Sequence, residues 1–218
     1  MTLYDKKEAL IQTEWELFHN VNNEGGKADC QNDQETFFIM RRAQFTCWSE
    51  ELVESWHNDL LNAKNDGRNL LSEKYAWMMR QTAPFEFGRI SHLLRFPSIS
   101  AEEMIEQIVE AEVQWMEEYE KQYPFMADGN RPVHSSNDSE YSTSFETYLR
   151  GELHTYSEKT LKLYLDMINA LKSQNKSLSL IVMDAMVKAY GYKDIDDAEK
   201  QQKLRALNIF KSTYVKPI

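Results

Sequence analysis

The sequence predicts an all-α protein, one helical domain of about eight or nine helices, and three observations predict it. Apolar side chains recur every three or four positions along nearly the whole chain, the spacing of one helix face. Seven glycines and five prolines in 218 residues are too few for a sandwich or barrel, which needs a turn about every ten residues. No segment alternates polar and apolar residues long enough to make a convincing strand. Five Trp, ten Phe and eleven Tyr are ample for a core, so wholesale disorder is excluded.

Taken in order, residues 3–21 read as a helix with Leu10, Ile11, Trp15, Phe18 and Val21 inward. A polar loop runs from Asn22 to Asp33; Gly25 and Gly26 stop the first helix, and Asn32 or Asp33 can cap the next. The second helix spans about Glu35 to Trp48, and Ser49 starts a third that ends near Asn65, Asp66 and Gly67. A fourth covers about 69–81 and must stop before Pro84, because proline disfavours a helical residue ahead of it. A short helix near 87–95 ends at Pro97. Ser100-Ala-Glu-Glu reads as a capping box, with Ser100 as N-cap and Glu103 reaching back to it. It opens a long helix to about Tyr123, inward through Ile105, Ile108, Val109, Val113, Met116 and Tyr119. Residues 124–142 form a long polar loop, of a length that usually means function or disorder. Helices follow at about 143–156, 157–172, 177–190 and 196–211, the last capped by Asp196 with Glu199 three residues on.

The two halves, 3–81 and 101–190, resemble each other. A shift of 108 places Phe37, Arg42, Ser49, Glu50, Lys64, Leu70 and Met78 on Phe145, Arg150, Ser157, Glu158, Lys172, Leu178 and Met186 without a gap. Trp48 then meets Tyr156 and Trp56 meets Tyr164, while a shift of 98 sets Ile11, Glu14 and Phe18 on Val109, Glu112 and Met116. A duplicated helical unit explains this pattern, and so does the general likeness of amphipathic helices. The expectation is one domain over residues 1–218, with pseudo-repeated halves and a C-terminal helix at 196–211.

With 25 Lys+Arg against 35 Asp+Glu the formal charge is −10, which argues against nucleic acid as a main partner. The closing basic residues Lys200, Lys203, Arg205, Lys211 and Lys216 read as a solvated helix face. Cys30 and Cys47 are too few for a disulfide framework and wrongly placed for zinc. No apolar run reaches the roughly 18 residues of a membrane span, and the N-terminus is no signal peptide. A cytoplasmic protein without membrane contact is the expectation.

Chemistry is suggested by charge on the wrong face. Glu14 follows Ile11 by three positions and precedes Phe18 by four, so it shares their inward stripe. Glu112 stands likewise between Ile108 and Met116. Arg41 and Gln44 fall on the stripe of Phe37, Phe38, Phe45 and Trp48; Glu152 falls on that of Phe145, Leu149 and Tyr156, with Arg150 beside it. Buried charges are costly unless paired, so these groups should meet each other or a ligand.

Three readings stay open. In the first, Glu14 and Glu112 are clamped by Arg41 or Arg150 in a network that fixes helix register. In the second, a pocket between the halves, roofed by loops 22–33 and 124–142, binds a small molecule. Glu14, Glu112 and Glu152 are then candidate proton-transfer groups or amine anchors, and Arg41, Gln44 and Arg150 candidate ligand-binding groups. In the third, the carboxylates hold a metal pair, which wants two Glu-x-x-His motifs; the chain offers Glu16 with His19 and no second copy. Against all three stands a non-catalytic interaction module that buries a partner or a second copy of the chain. No cofactor can be named from these residues.

Cys30 lies ahead of a helix N-terminus without an evident base, and Cys47 reads as core. His154 reads as a partly exposed helix histidine or as one turned inward beside Glu152, and Met40, Met78, Met79, Met183 and Met186 at helical spacing read as core packing or a plastic partner surface.

Two runs, Gln12 to Gly26 (QTEWELFHNVNNEGG) and Cys30 to Phe45 (CQNDQETFFIMRRAQF), resemble a bacterial family known as a domain of unknown function. The resemblance continues through Tyr148 to Ser157 (YLRGELHTYS) and so covers most of the chain. It implies a bacterial cytoplasmic protein and supplies no activity, substrate or catalytic residue.

Overall fold

The computed structural model describes residues 1–22, 26–139 and 142–214. Gly25 and Lys216 lie outside the described residues, as does the side chain of Lys211. Eleven α-helices and no strand are found among the described residues. They are α1 (Leu3–His19), α2 (Gln34–Gln44), α3 (Glu50–Asn65), α4 (Leu70–Thr82), α5 (Pro84–Ile90), α6 (Ile99–Gln122), α7 (Pro124–Ala127), α8 (Phe145–Leu153), α9 (Glu158–Ser173), α10 (Leu178–Ala189) and α11 (Ile195–Tyr214). The count exceeds the eight or nine main helices expected because two short ones are included: α5, which begins at Pro84 ahead of the short helix expected near 87–95, and α7, which begins at Pro124 inside the expected loop. The ring-locked φ of proline suits a first helical turn, so each proline starts a helix where the sequence reading had placed a stop or a loop.

Polar caps set most of the boundaries. Thr2 and Asp5 form a capping box on α1, and Ser49, Asn69, Ser144, Ser157 and Ser177 cap α3, α4, α8, α9 and α10. Asp33 caps α2. Two expected caps are corrected. Ser98, not Ser100, caps α6 by accepting from the Ala101 N–H at 3.1 Å, and Ser100 donates to Glu158 at 3.2 Å. Asp194, not Asp196, accepts from the Asp197 N–H at the start of α11. Asp196 instead accepts from the Tyr123 hydroxyl at 3.1 Å, and Glu199 receives the Phe125 and Met126 N–H groups of α7. The second helix also stops at Gln44 rather than Trp48. Bonds from Thr46 to Ala43 and from Trp48 to Phe45, each 3.1 Å, tighten the exit and turn Trp48 into the core.

α1, α3, α9 and α6 touch in that order. The α4–α8 pair links α1 to α6, and so does the α2–α10 pair. Between them lies the main core, filled by Leu10, Ile11, Phe45, Trp48, Trp56, Leu60, Ile105, Ile108, Leu161 and Ile168. Burying each such side chain is worth about 1.5–3 kcal/mol, which is what holds short, individually marginal helices in place. A smaller cluster of Met116, Tyr119, Tyr123, Val187, Ile195 and Ala198 fastens α7 and α11 to the end of α6. α4 and α8 approach closely at Gly151, where an added Cβ would stand 2.7 Å from Met78 Cγ and 2.8 Å from the Lys74 carbonyl oxygen. No helix among the described residues is long and apolar enough to cross a membrane.

Candidate functional site

The inward stripe of α1 carries Glu14, which is fully buried, and α2 supplies its partner. Arg41 Nε donates to Glu14 Oε2 at 2.6 Å, and Nη2 donates to Oε1, a two-point clamp between planar groups. Trp56 on α3 adds an indole N–H to Glu14 Oε1 at 2.7 Å. The remaining Arg41 nitrogen, Nη1, donates to Gln44 and, at 3.2 Å, to Glu152 on α8. Glu152 also receives the Tyr156 hydroxyl at 3.1 Å and the Gln44 amide at 3.3 Å. Lys74 of α4, only 3% exposed, lies 3.4 Å from Glu152 and donates to the Tyr148 hydroxyl at 2.6 Å.

One hydrogen-bonded chain thus runs Trp56–Glu14–Arg41–Glu152–Lys74–Tyr148 across five helices. Burial alone would raise the Glu152 carboxyl, but Arg41 and Lys74 overcome it and hold its pKa at about 2. Burial works against the cations too, yet their carboxylates push Arg41 further above its ordinary value, and Tyr148 and Glu152 do the same for Lys74. Arg41, Lys74 and Glu152 stay charged through neutral pH.

A cleft of about 660 Å³ opens onto this chain between α1, the 26–33 segment, α2, α4 and α8. Its floor is apolar, with Phe37, Met40, Leu71 and Met78, and Tyr75 and Tyr148 stand in its wall. Four cations reach it: Arg41 and Lys74 from below, Lys27 and Arg131 from the rim. The Tyr148 ring lies between two of them, 4.0 Å from Lys74 Nζ and 4.9 Å from the Arg131 guanidinium. Asp33, also in the wall, is occupied in capping α2. Glu14 lies beneath Arg41 and lines no part of this cleft.

Of the residues singled out from the sequence, Glu14, Arg41, Gln44 and Glu152 come together. Glu112 and Arg150 do not join them. Glu112 accepts from the Tyr164 hydroxyl at 2.8 Å, and among the described residues no Lys or Arg is ion-paired with it. Burial raises its carboxyl to about 7, with the Tyr164 bond pulling the other way. Arg150 turns outward to Glu106 and Glu146, so it neither clamps an inward Glu nor reaches the cleft. His19 and Glu16 also part: His19 Nδ1 meets the Gln31 carbonyl at 2.8 Å and Glu16 meets Lys64 at 3.4 Å. Among the described residues no three His, Cys, Asp or Glu side chains are grouped as a metal would need. Cys30 is exposed at the cleft wall, and burial raises the Cys47 thiol.

Lys74, Trp56, Tyr148 and Tyr156 were not anticipated as members of the network. Lys74 was findable: it follows Leu71 by three positions and precedes Met78 by four, the same inward placement that marked Glu14. Lys27 and Arg131 carry no such signal, because loop residues have no face.

A family model described as "Protein of unknown function (DUF4125)" matches residues 7–200. No curated protein and no solved structure matches the chain.

Proposed function

The chain belongs to that family of unknown function, and from this premise we propose that it binds a small anionic molecule with an apolar body in the cleft beside Lys74. The observation that carries the reading is a nearly buried lysine and a buried arginine opening on one apolar cleft in a chain of net charge −10. Glu14 and Glu152 balance Arg41 and Lys74 from beneath. Lys27 and Arg131 at the rim then leave the cleft attractive to a carboxylate or phosphate. This reverses the amine-binding preference expected from the carboxylates alone, because the cations stand between them and the ligand. Tyr148, whose oxygen accepts from Lys74 and which shares a hydrogen bond with Tyr75, adds a polar edge to the cleft wall.

The test is thermal unfolding with 2-naphthoate, phenyl phosphate and benzylammonium at matched concentrations. The anions should raise the melting temperature in a saturable way, and Arg131→Ala should weaken that binding about tenfold. Stabilisation by benzylammonium alone would overturn the proposal and restore the amine reading. No response to any of the three would favour the interaction module, for which exposed Phe85, Leu93, Phe96 and Ile99 supply an apolar surface.

The two halves also read as products of duplication. In support, α1 with α3 parallels α6 with α9, and the α4–α8 pair parallels α10–α2.

A further inference from the structure

A second cleft, of about 320 Å³, lies between α4, α6 and α8 and is walled by Trp77, Arg80, Glu102, Arg150 and His154. Its centre is His154, whose side chain is only 6% exposed and whose ring packs on Trp77 with 4.4 Å between centroids. Nδ1 stands 2.7 Å from the Arg150 carbonyl oxygen, which accepts only, so Nδ1 carries the proton and donates. Burial lowers the imidazole pKa, the Arg150 carbonyl opposing, so at neutral pH Nε2 presents a bare lone pair. That atom is buried and makes no hydrogen bond, although Glu102 Oε2 is 3.4 Å away. Two acceptors therefore face one another without a donor between them, an arrangement that costs free energy until a donor arrives.

On the other side of the Glu102 carboxylate from His154 stands Arg80, in a long ion pair with it. Its Nη1 comes no nearer than 3.8 Å to Glu102, and its side chain is 57% exposed. Arg150, by contrast, is already held by Glu106 and Glu146. A primary ammonium has hydrogens for both His154 and Glu102, and a carboxylate matches the guanidinium fork of Arg80. We propose that this cleft binds a small zwitterion of the amino-acid type, its ammonium on His154 Nε2 and Glu102 and its carboxylate on Arg80. The volume suits one such molecule. The proposal is independent of the anion-binding cleft, which lies against other residues of α4 and α8.

The experiment is NMR of the His154 ring nitrogens in the ¹⁵N-labelled protein, titrated with free L-amino acids in pools and then singly. N-acetylated and C-amidated forms, each lacking one charge, serve as controls. At least one amino acid should move the Nε2 resonance in a saturable way at about 10 mM or below, with both blocked forms at least about tenfold weaker. Arg80→Ala and Glu102→Gln alter partly exposed side chains and should each weaken binding at least about fivefold. Arg131→Ala should leave it unchanged. Silence of the resonance with every pool overturns the proposal. So does equal binding of an N-acetylated form, which marks an anion site only, or full affinity in both variants.

Discussion

Glu14 on α1 and Glu112 on α6 are both buried acids on inward stripes, and each receives one aromatic donor from the next long helix but one. Trp56 serves Glu14 at 2.7 Å, and Tyr164 serves Glu112 at 2.8 Å. What differs is the opposing wall. Glu14 meets Arg41, whereas the residue 108 positions after Arg41 is Leu149. The residue 108 positions after Lys74, which steadies Glu152, is Val182. One region thus becomes a chain of compensated charges beside a cleft. The other leaves a carboxyl whose charged form burial penalises, so that it titrates near 7. A buried acid is a structural anchor or a proton-responsive group according to the cation that another helix brings to it.

Removing the cation should erase the contrast most sharply. Arg41→Met leaves Glu14 and Glu152 buried with their principal partner gone, and should cost about 3–5 kcal/mol in urea unfolding at pH 7. A cost below about 1 kcal/mol would mean that the clamp contributes little.

The two regions should also respond to pH with opposite sign. Folding raises Glu112 from 4.5 to about 7, so its contribution is fully present below pH 4.5 and is lost as pH rises through 7. Folding lowers Glu152 from 4.5 to about 2, so its contribution is present above pH 4.5 and lost as pH falls toward 2. Each shift corresponds to roughly 3 kcal/mol. Glu112→Gln should therefore stabilise the protein at pH 8 and flatten the neutral limb of stability against pH. Glu152→Gln should flatten the acid limb and leave the neutral one alone. A Glu112→Gln protein that keeps the wild-type slope between pH 5 and 8 would contradict the assignment.

A smaller effect sharpens the comparison at its geometric origin. Gly151→Ala places a methyl within 3 Å of Met78 and of the Lys74 backbone. Parting α4 from α8 to relieve it should cost about 1–3 kcal/mol and loosen the contact of Lys74 with Glu152. Unchanged stability would show that the two helices can separate freely there.

Much of this was legible in the primary sequence because helical structure is written locally. A period near 3.6 marks the inward stripe, and a Ser, Asn or Asp ahead of it marks the start. Hence the all-α fold, the caps at Asp33 and Ser49 and the inward aim of Glu14, Glu112, Arg41 and Glu152 could be read directly. Where two candidate caps stood close together, as at Ser98 and Ser100 or Asp194 and Asp196, the nearer capping-box pattern misled.

Which inward groups meet was decided by packing. Arg41 and Glu152 are 111 residues apart, and Lys74 and Glu152 are 78 apart. Periodicity carries no information about which helix crosses which, or at what height. Arg150 shows the limit: two positions from Glu152, it faces the opposite way and joins surface carboxylates. Sequence alone determined the helices and their faces, since both follow from short-range geometry. Tertiary structure alone decided that the acids lie under cations and that the cleft opens beside Lys74, since both depend on contacts between distant segments.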